Sequence, residues 1–170
     1  MGKSLVLYFS RKGENYYAGT IKSLAKGNTQ LAAEIVAEAV DGDLFELKTV
    51  EAYPANYSAC TDQAKAELQQ DARPELVALP DVQSYDTVFL GYPNWWGTIP
   101  MPVATALEAL DLAGKRICPF CTNEGSGLGS SERDIERLAV GAKVCKGLAI
   151  TGHKVEASRT KIEAWAKGLA

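Results

Sequence analysis

The chain has 170 residues, 46% of them hydrophobic and 23% charged, with a formal net charge of −3. That length suits one domain with a sizeable core, and the composition argues against disorder. The weak charge gives no support to a general nucleic-acid binder, and no apolar run is long enough for a membrane span or a signal-peptide core.

In chain order, the first predicted element is a strand over Leu5–Phe9, a continuous apolar run. A helix follows over Gln30–Val40, where Leu31, Ile35, Ala39 and Val40 share one side. The pattern then gives a strand at Leu44–Leu47, a polar helix at Ala59–Gln70 and a strand at Asp86–Gly91. Next come a helix at Pro102–Leu110, a strand at Arg116–Cys121, a helix at Ser130–Leu138 and a strand at Leu148–Thr151. Val155, Ser158, Ile162, Trp165 and Leu169 keep helical spacing to the end. Near-continuous apolar strands require a sheet buried on both faces. Strands alternating with helices give right-handed βαβ units, and so an open α/β sandwich.

In such sheets ligands bind beyond the carboxyl ends of the strands. After strand one, Ser10 and Thr29 offer hydroxyls, and Gly27-Asn28-Thr29 opens the first helix, whose N-terminal N–H groups suit a phosphate. Neither a Walker A pattern nor a Gly-x-Gly-x-x-Gly fingerprint is present. After strand three, Trp95 and Trp96 stand between Asn94 and Gly97. Either both indoles anchor a core edge, or one is a stacking platform for a flat ligand. After strand four, Gly125, Gly127 and Gly129 permit positive φ and close approach of backbone to a ligand. A phosphate cradle, an aromatic wall and a backbone edge reader at one sheet end form the inventory for a flavin mononucleotide.

Other features point elsewhere less strongly. Cys118-Pro119-Phe120-Cys121 has the CxxC spacing of a redox dithiol, but it lies inside a strand pattern. Residues three apart on a strand face opposite ways, so buried thiols are the simpler reading, with Cys121 near the proposed ligand. The four cysteines are too few for a disulfide scaffold, so reduced thiols and a cytoplasmic protein are expected. His153, the single histidine, leaves no zinc ligand set and no hydrolase triad. It reads as a solvated residue, with a proton donor as the alternative. A response regulator would need acidic residues at the ends of strands one and three, where Ser10 and Tyr92-Pro93 stand.

Three stretches carry a family resemblance. Tyr8-Phe9-Ser10-Arg11 and Gly27-Asn28-Thr29 look like two halves of a split phosphate loop. Gly91-Tyr92-Pro93-Asn94-Trp95-Trp96-Gly97-Thr98-Ile99-Pro100-Met101-Pro102 and Pro119–Gly129 stand at the other strand ends. Together they resemble the flavodoxin family, in its small branch with an insertion in the phosphate loop. The resemblance spans essentially the whole chain, one flavodoxin-like domain over 1–170. It implies a three-layer sandwich, with a five-stranded parallel sheet in order 2-1-3-4-5, helices on both faces, and bound FMN. Ser10, Arg11, Asn28, Thr29 and Gln30 would cradle the phosphate. Pro93, Asn94, Trp95, Trp96 and Gly97 would line one side of the ring and ribityl chain. Thr122, Asn123, Glu124, Gly125, Ser126 and Gly127 would line the other. Gly13-Glu14-Asn15 offers a competing Gly-x-Asn within the split loop. The insertion, residues 12–26, reads as a hairpin turning at Ala18-Gly19, with Tyr16 or Tyr17 placed to contact or cover FMN.

Two functions follow from the resemblance. One is an NAD(P)H-dependent flavin or quinone reductase, passing electrons through FMN to a small acceptor. Its open pocket would be walled by the insertion and, in a homodimer, by a partner subunit. The other is a carrier exchanging electrons with protein partners. The charge is unevenly spread: residues 1–33 carry +4, 34–111 carry −11 and 112–170 carry +4. Arg11, Lys12, Lys22 and Lys26 surround the phosphate loop, where a phosphate or pyridine nucleotide is attracted. The weak total favours the reductase, and the acidic middle keeps the carrier as the second reading.

Overall fold

Ser4–Tyr8 forms strand β1, buried along its whole length, in a computed structural model that describes residues 2–170. Met1, the first residue of the expected domain, lies outside the described residues. A strand with no polar face needs cover on both sides. Its side chains divide between two cores: Leu5 and Leu7, with Phe9 just beyond, enter one, and Val6 and Tyr8 the other. The chain continues through β2 (Gly13–Tyr17) and β3 (Thr20–Leu24) into α1 (Asn28–Val40), β4 (Asp43–Glu46), α2 (Tyr57–Gln69) and β5 (Thr87–Pro93). It ends with α3 (Met101–Ala109), β6 (Arg116–Asn123), α4 (Ser131–Leu138), β7 (Lys143–Val144), β8 (Leu148–Thr151) and α5 (Arg159–Leu169).

The main sheet is parallel, in the order β4-β1-β5-β6, with β7 and β8 both on the outer side of β6. Counting β7 and β8 as one edge gives the 2-1-3-4-5 order of a flavodoxin-like sandwich. The split of that edge has a local cause. Ile117 accepts from the Cys145 N–H (2.8 Å), so by strand alternation the next donor towards the edge belongs to Pro119, which has none. The Gly147 N–H turns instead to Glu132 Oε2 on α4 (2.8 Å), and pairing resumes where Phe120 meets Leu148.

Helices cover both faces. Ala32, Ile35 and Val36 of α1 and Ile162 and Ala166 of α5 share one core. Val103, Ala106 and Leu107 of α3 and Ile135 of α4 share the other. α2 buries only Cys60 and Ala64, so it contributes a wall rather than a core layer. It starts two residues before its apolar spacing does, and the Asn56 side chain caps it by accepting from the Ala59 N–H (2.9 Å).

β2 and β3 pair antiparallel as a separate two-stranded ribbon. Ala18 and Gly19 both have positive φ (51° and 90°), the two-residue turn that matches the twist of a hairpin. Two bonds fasten the ribbon to the approach to α2. Glu14 Oε2 accepts from the Tyr57 N–H (2.6 Å), and the Arg11 guanidinium donates to Ala55 O (2.9 Å). Among the described residues, no helix is long and apolar enough to cross a membrane, and no cluster of His, Cys, Asp and Glu has a metal-holding arrangement.

Candidate functional site

The hairpin leaves the chain after Arg11 and returns it beside Ser10. There Ser10 Oγ accepts from the Gln30 N–H (3.1 Å), supplying the helix cap that Gly27 has no side chain to make. A Cβ on Gly27 would stand 2.3 Å from that Oγ and 2.5 Å from the Arg11 carbonyl, so only glycine lets the two halves close. Among the described residues the Asn28 and Thr29 N–H groups have no partner, which leaves an anion seat at the start of α1. The competing Gly13-Glu14-Asn15 lies on β2. Its Asn15 amide is spent on Arg11 O and Gly13 O (2.9 and 3.1 Å), and no helix begins there.

The two tryptophans part company. Trp95 packs edge-on against Phe9 and Tyr53, with ring centroids 5.2 and 5.1 Å away, and so anchors an aromatic cluster. Trp96 is 51% exposed and sits at φ 56°, in the left-handed region that aromatic residues avoid. With Gly97 (φ 86°) it forms the two-residue turn of the Trp95–Thr98 bridge. Its indole N–H donates to Thr61 O (2.8 Å), and Lys65 Nζ stands 5.1 Å from the ring centre. The open indole is therefore fixed in place.

Asparagines shape the remaining loops. Asn94 Oδ1 accepts from the Gly97 N–H (2.8 Å), and its amide donates to Gly127 O (2.9 Å). Asn123 Oδ1 accepts from the Gly125 and Gly127 N–H groups (2.9 and 3.0 Å). Those two glycines therefore form the loop rather than offer donors to a ligand. A Cβ on Gly129 would stand 2.1 Å from Gly97 O, so the second and third loops touch only because both are glycine-rich. Thr29 and Thr122 hydroxyls bond at 2.7 Å and tie the first loop to the third.

These loops surround one cavity of about 520 Å³. The structure brings Ser10, Arg11, Asn28, Thr29, Pro93, Asn94, Trp95, Trp96, Thr122, Asn123, Glu124 and Ser126 to its wall. Gln30, Gly97, Gly125 and Gly127 lie outside it, in supporting positions. Tyr16 of the hairpin lines the cavity. Tyr17 instead packs on His153, with centroids 5.8 Å apart. The sequence reading missed the wall made by Tyr57, Cys60, Thr61 and Ala64 of α2. The signal was present: in a polar helix, Cys60 and Ala64 are the residues that go in. Gly152 completes the missed wall, and Asn15 of the competing Gly13-Glu14-Asn15 also lines the cavity.

His153 is half-buried and does more than meet solvent. Its ring Nδ1 meets Glu124 Oε2 at 2.6 Å and its backbone N–H donates to Oε1 (3.2 Å), so it clamps a carboxylate on the cavity wall. Cys118 and Cys121 face different cores, which removes the CxxC dithiol. Burial pushes the Cys121 thiol up to about 12. Burial, then the neighbouring Cys145 thiol, does the same to Cys118. Cys60, at the cavity, is also raised by burial.

The flavodoxin family profile matches residues 3–169. Among solved structures, a chain provisionally assigned as a flavoprotein from Bacteroides uniformis is 32% identical, with 98% of each chain covered and a TM-score of 0.77. A similarly assigned chain from Bacteroides eggerthii is 27% identical over 95% of this chain and 98% of its own, with a TM-score of 0.73. A flavoprotein from Lactobacillus acidophilus, solved in complex with FMN, is 24% identical over 92% of this chain and 98% of its own, with a TM-score of 0.69. No curated protein matches in sequence. The fold, the strand order and the profile agree: the chain belongs to the flavodoxin family.

Proposed function

We propose that the chain binds FMN in the cavity at the carboxyl ends of β1, β5 and β6 and acts as an NAD(P)H-dependent flavin or quinone reductase. The observation that carries the reading is the convergence of three chemically different loops on one cavity. The residues fit the cofactor. The cradle closed by Gly27 presents the unpartnered Asn28 and Thr29 N–H groups, with Ser10 and Arg11 beside them. Arg11 gives its guanidinium to two backbone carbonyls, Glu14 O and Ala55 O, so its charge stays uncompensated for a phosphate. Trp96 offers an indole face, and Thr122, Asn123, Glu124 and Ser126 form the polar side opposite. The FMN complex of the Lactobacillus acidophilus relative supports the same cofactor.

FMN, when bound, supplies one- and two-electron redox chemistry. The chain's own part would be to seat the phosphate at a helix start and to present the Trp96 indole and the Glu124 carboxyl group, clamped by His153, at the cavity wall. Negative charge and apolar rings near a flavin disfavour added negative charge there, which lowers its potential. The hairpin and α2 wall the cavity without sealing it, which suits a small acceptor. The test is a titration of flavin-free protein with FMN, followed by NADH or NADPH oxidation with a quinone. The expected result is one FMN per chain with quenched flavin fluorescence, then steady turnover. A protein that stays colourless and gives no heat with FMN overturns the cofactor. FMN binding without turnover for any acceptor favours the second reading, an electron carrier, to which the −11 charge of residues 34–111 points.

A further inference from the structure

Beneath the hairpin, on the other side of Ser10 and Arg11, lies a second cavity of about 870 Å³. Its floor is apolar and aromatic: Phe9, Leu47, Tyr53 and Trp95. Its rim is cationic, with Lys12 and Lys26 from the ends of the hairpin segment and Lys48 from the loop after β4. Two acidic side chains, Glu14 and Glu46, also line it, but with Arg11 beside the three lysines the lining stays net cationic. Glu14 is engaged by the Tyr57 N–H (2.6 Å), and Glu46 reaches Lys48 only at 3.8 Å. Lys12 has no carboxylate partner among the described residues. Lys26 pairs with Glu34 at 2.9 Å, but both side chains are substantially exposed, and water screens such a pair so that it holds the lysine only weakly. An anion arriving at the rim therefore meets cations held by little else.

An edge-to-face aromatic cluster, with Tyr53 and Trp95 its half-buried members, under a cationic rim suits an aromatic base carrying phosphate groups. We propose that this second cavity is a nucleotide site, seating the base over the Phe9–Tyr53–Trp95 cluster and the phosphates among Lys12, Lys26 and Lys48. Ser10, Arg11 and Trp95 line both cavities, so a dinucleotide held here by its adenosine phosphate has its other half beside the first cavity. The inference rests on the FMN-dependent reductase reading, for which it names the docking place of the electron donor.

The test is calorimetry on the FMN-loaded protein with adenosine 2′,5′-bisphosphate, AMP and inorganic phosphate as separate probes. The bisphosphate should bind once per chain without releasing flavin, and more tightly than AMP or phosphate. Raising salt should weaken it. Lys48→Glu and Lys12→Gln should each weaken it about fivefold or more, the scale of one lost charged contact, while flavin fluorescence and far-UV circular dichroism stay as in the parent. Absence of heat with flavin still bound overturns the nucleotide site alone. So do equal affinities for the bisphosphate and inorganic phosphate, release of FMN in step with binding, or variants that bind as the parent does. A chain that takes up no FMN overturns the reductase reading instead. The same titration on flavin-free protein then decides the second cavity.

Discussion

At the scale of single residues, Gly27 and Trp96 carry opposite lessons. Gly27 has a negative φ (−66°), so its backbone tolerates any residue; space is what demands glycine. Gly27→Ala must displace Ser10 Oγ or the Arg11 carbonyl, opening the cradle and uncapping α1. FMN affinity should fall about tenfold, the size of one lost hydrogen bond to a charged group, as read by fluorescence quenching. At Trp96 the backbone is the difficulty. A non-glycine residue at φ 56° carries strain of about 1 kcal/mol or more. Trp96→Gly should therefore resist urea better than Trp96→Ala, although both lose the indole and bind FMN more weakly. Equal urea midpoints for the two variants would show that the turn carries no strain. The sequence displayed the tryptophan pair but could not apportion it. The partners that claim Trp95, Phe9 and Tyr53, lie far away in the chain, and the positive φ of Trp96 has no local signature.

At the scale of elements, every strand of the sheet except β7 was legible, because continuous apolar runs flanked by helical spacing have few other readings. β7 escaped because two residues make no pattern. Its cause, a proline facing the edge from inside β6, becomes visible only once strand alternation is known. The strand-end loops were legible as a group, since the position of a site follows from topology. The α2 wall left only a faint signal, because its buried stripe is just Cys60 and Ala64. The hairpin's attachment was hidden, depending on Glu14 reaching a backbone N–H across the cavity rim. Glu14→Ala removes that charge-assisted bond and should cost about 1–2 kcal/mol locally. Exchange of the Tyr57 amide should speed up by about tenfold or more, while amides of β1 and β5 keep their protection. Unchanged Tyr57 exchange would mean that Arg11 alone holds the ribbon down.

At the scale of the whole molecule, a sheet buried on both faces fixes how stability must depend on alkaline pH. Cys118 and Cys121 are fully buried on opposite sides of β6, and both thiols are pushed up to about 12, chiefly by desolvation. Tyr8, buried on the α1 face, is likewise pushed up to about 12 by burial. Burial also raises Tyr53 and Tyr92. In the unfolded chain these groups regain ordinary values near 9 for thiols and 10 for phenols. Above pH 9 the unfolded state therefore binds fewer protons than the native state, and the stability they contribute falls as pH rises. It is fully present below the unfolded values and is lost between about pH 9 and 12, by up to about 1.4 kcal/mol per pH unit for each group. Urea midpoints should accordingly be level from pH 7 to 8.5 and then decline. Replacing Cys118 and Cys121 together with alanine should lower the plateau by leaving two small cavities, yet flatten the decline above pH 9. A double variant that declines as steeply as the parent would place the alkaline weakness in the tyrosines instead, and phenylalanine at Tyr8, Tyr53 and Tyr92 together would then be the change that flattens it.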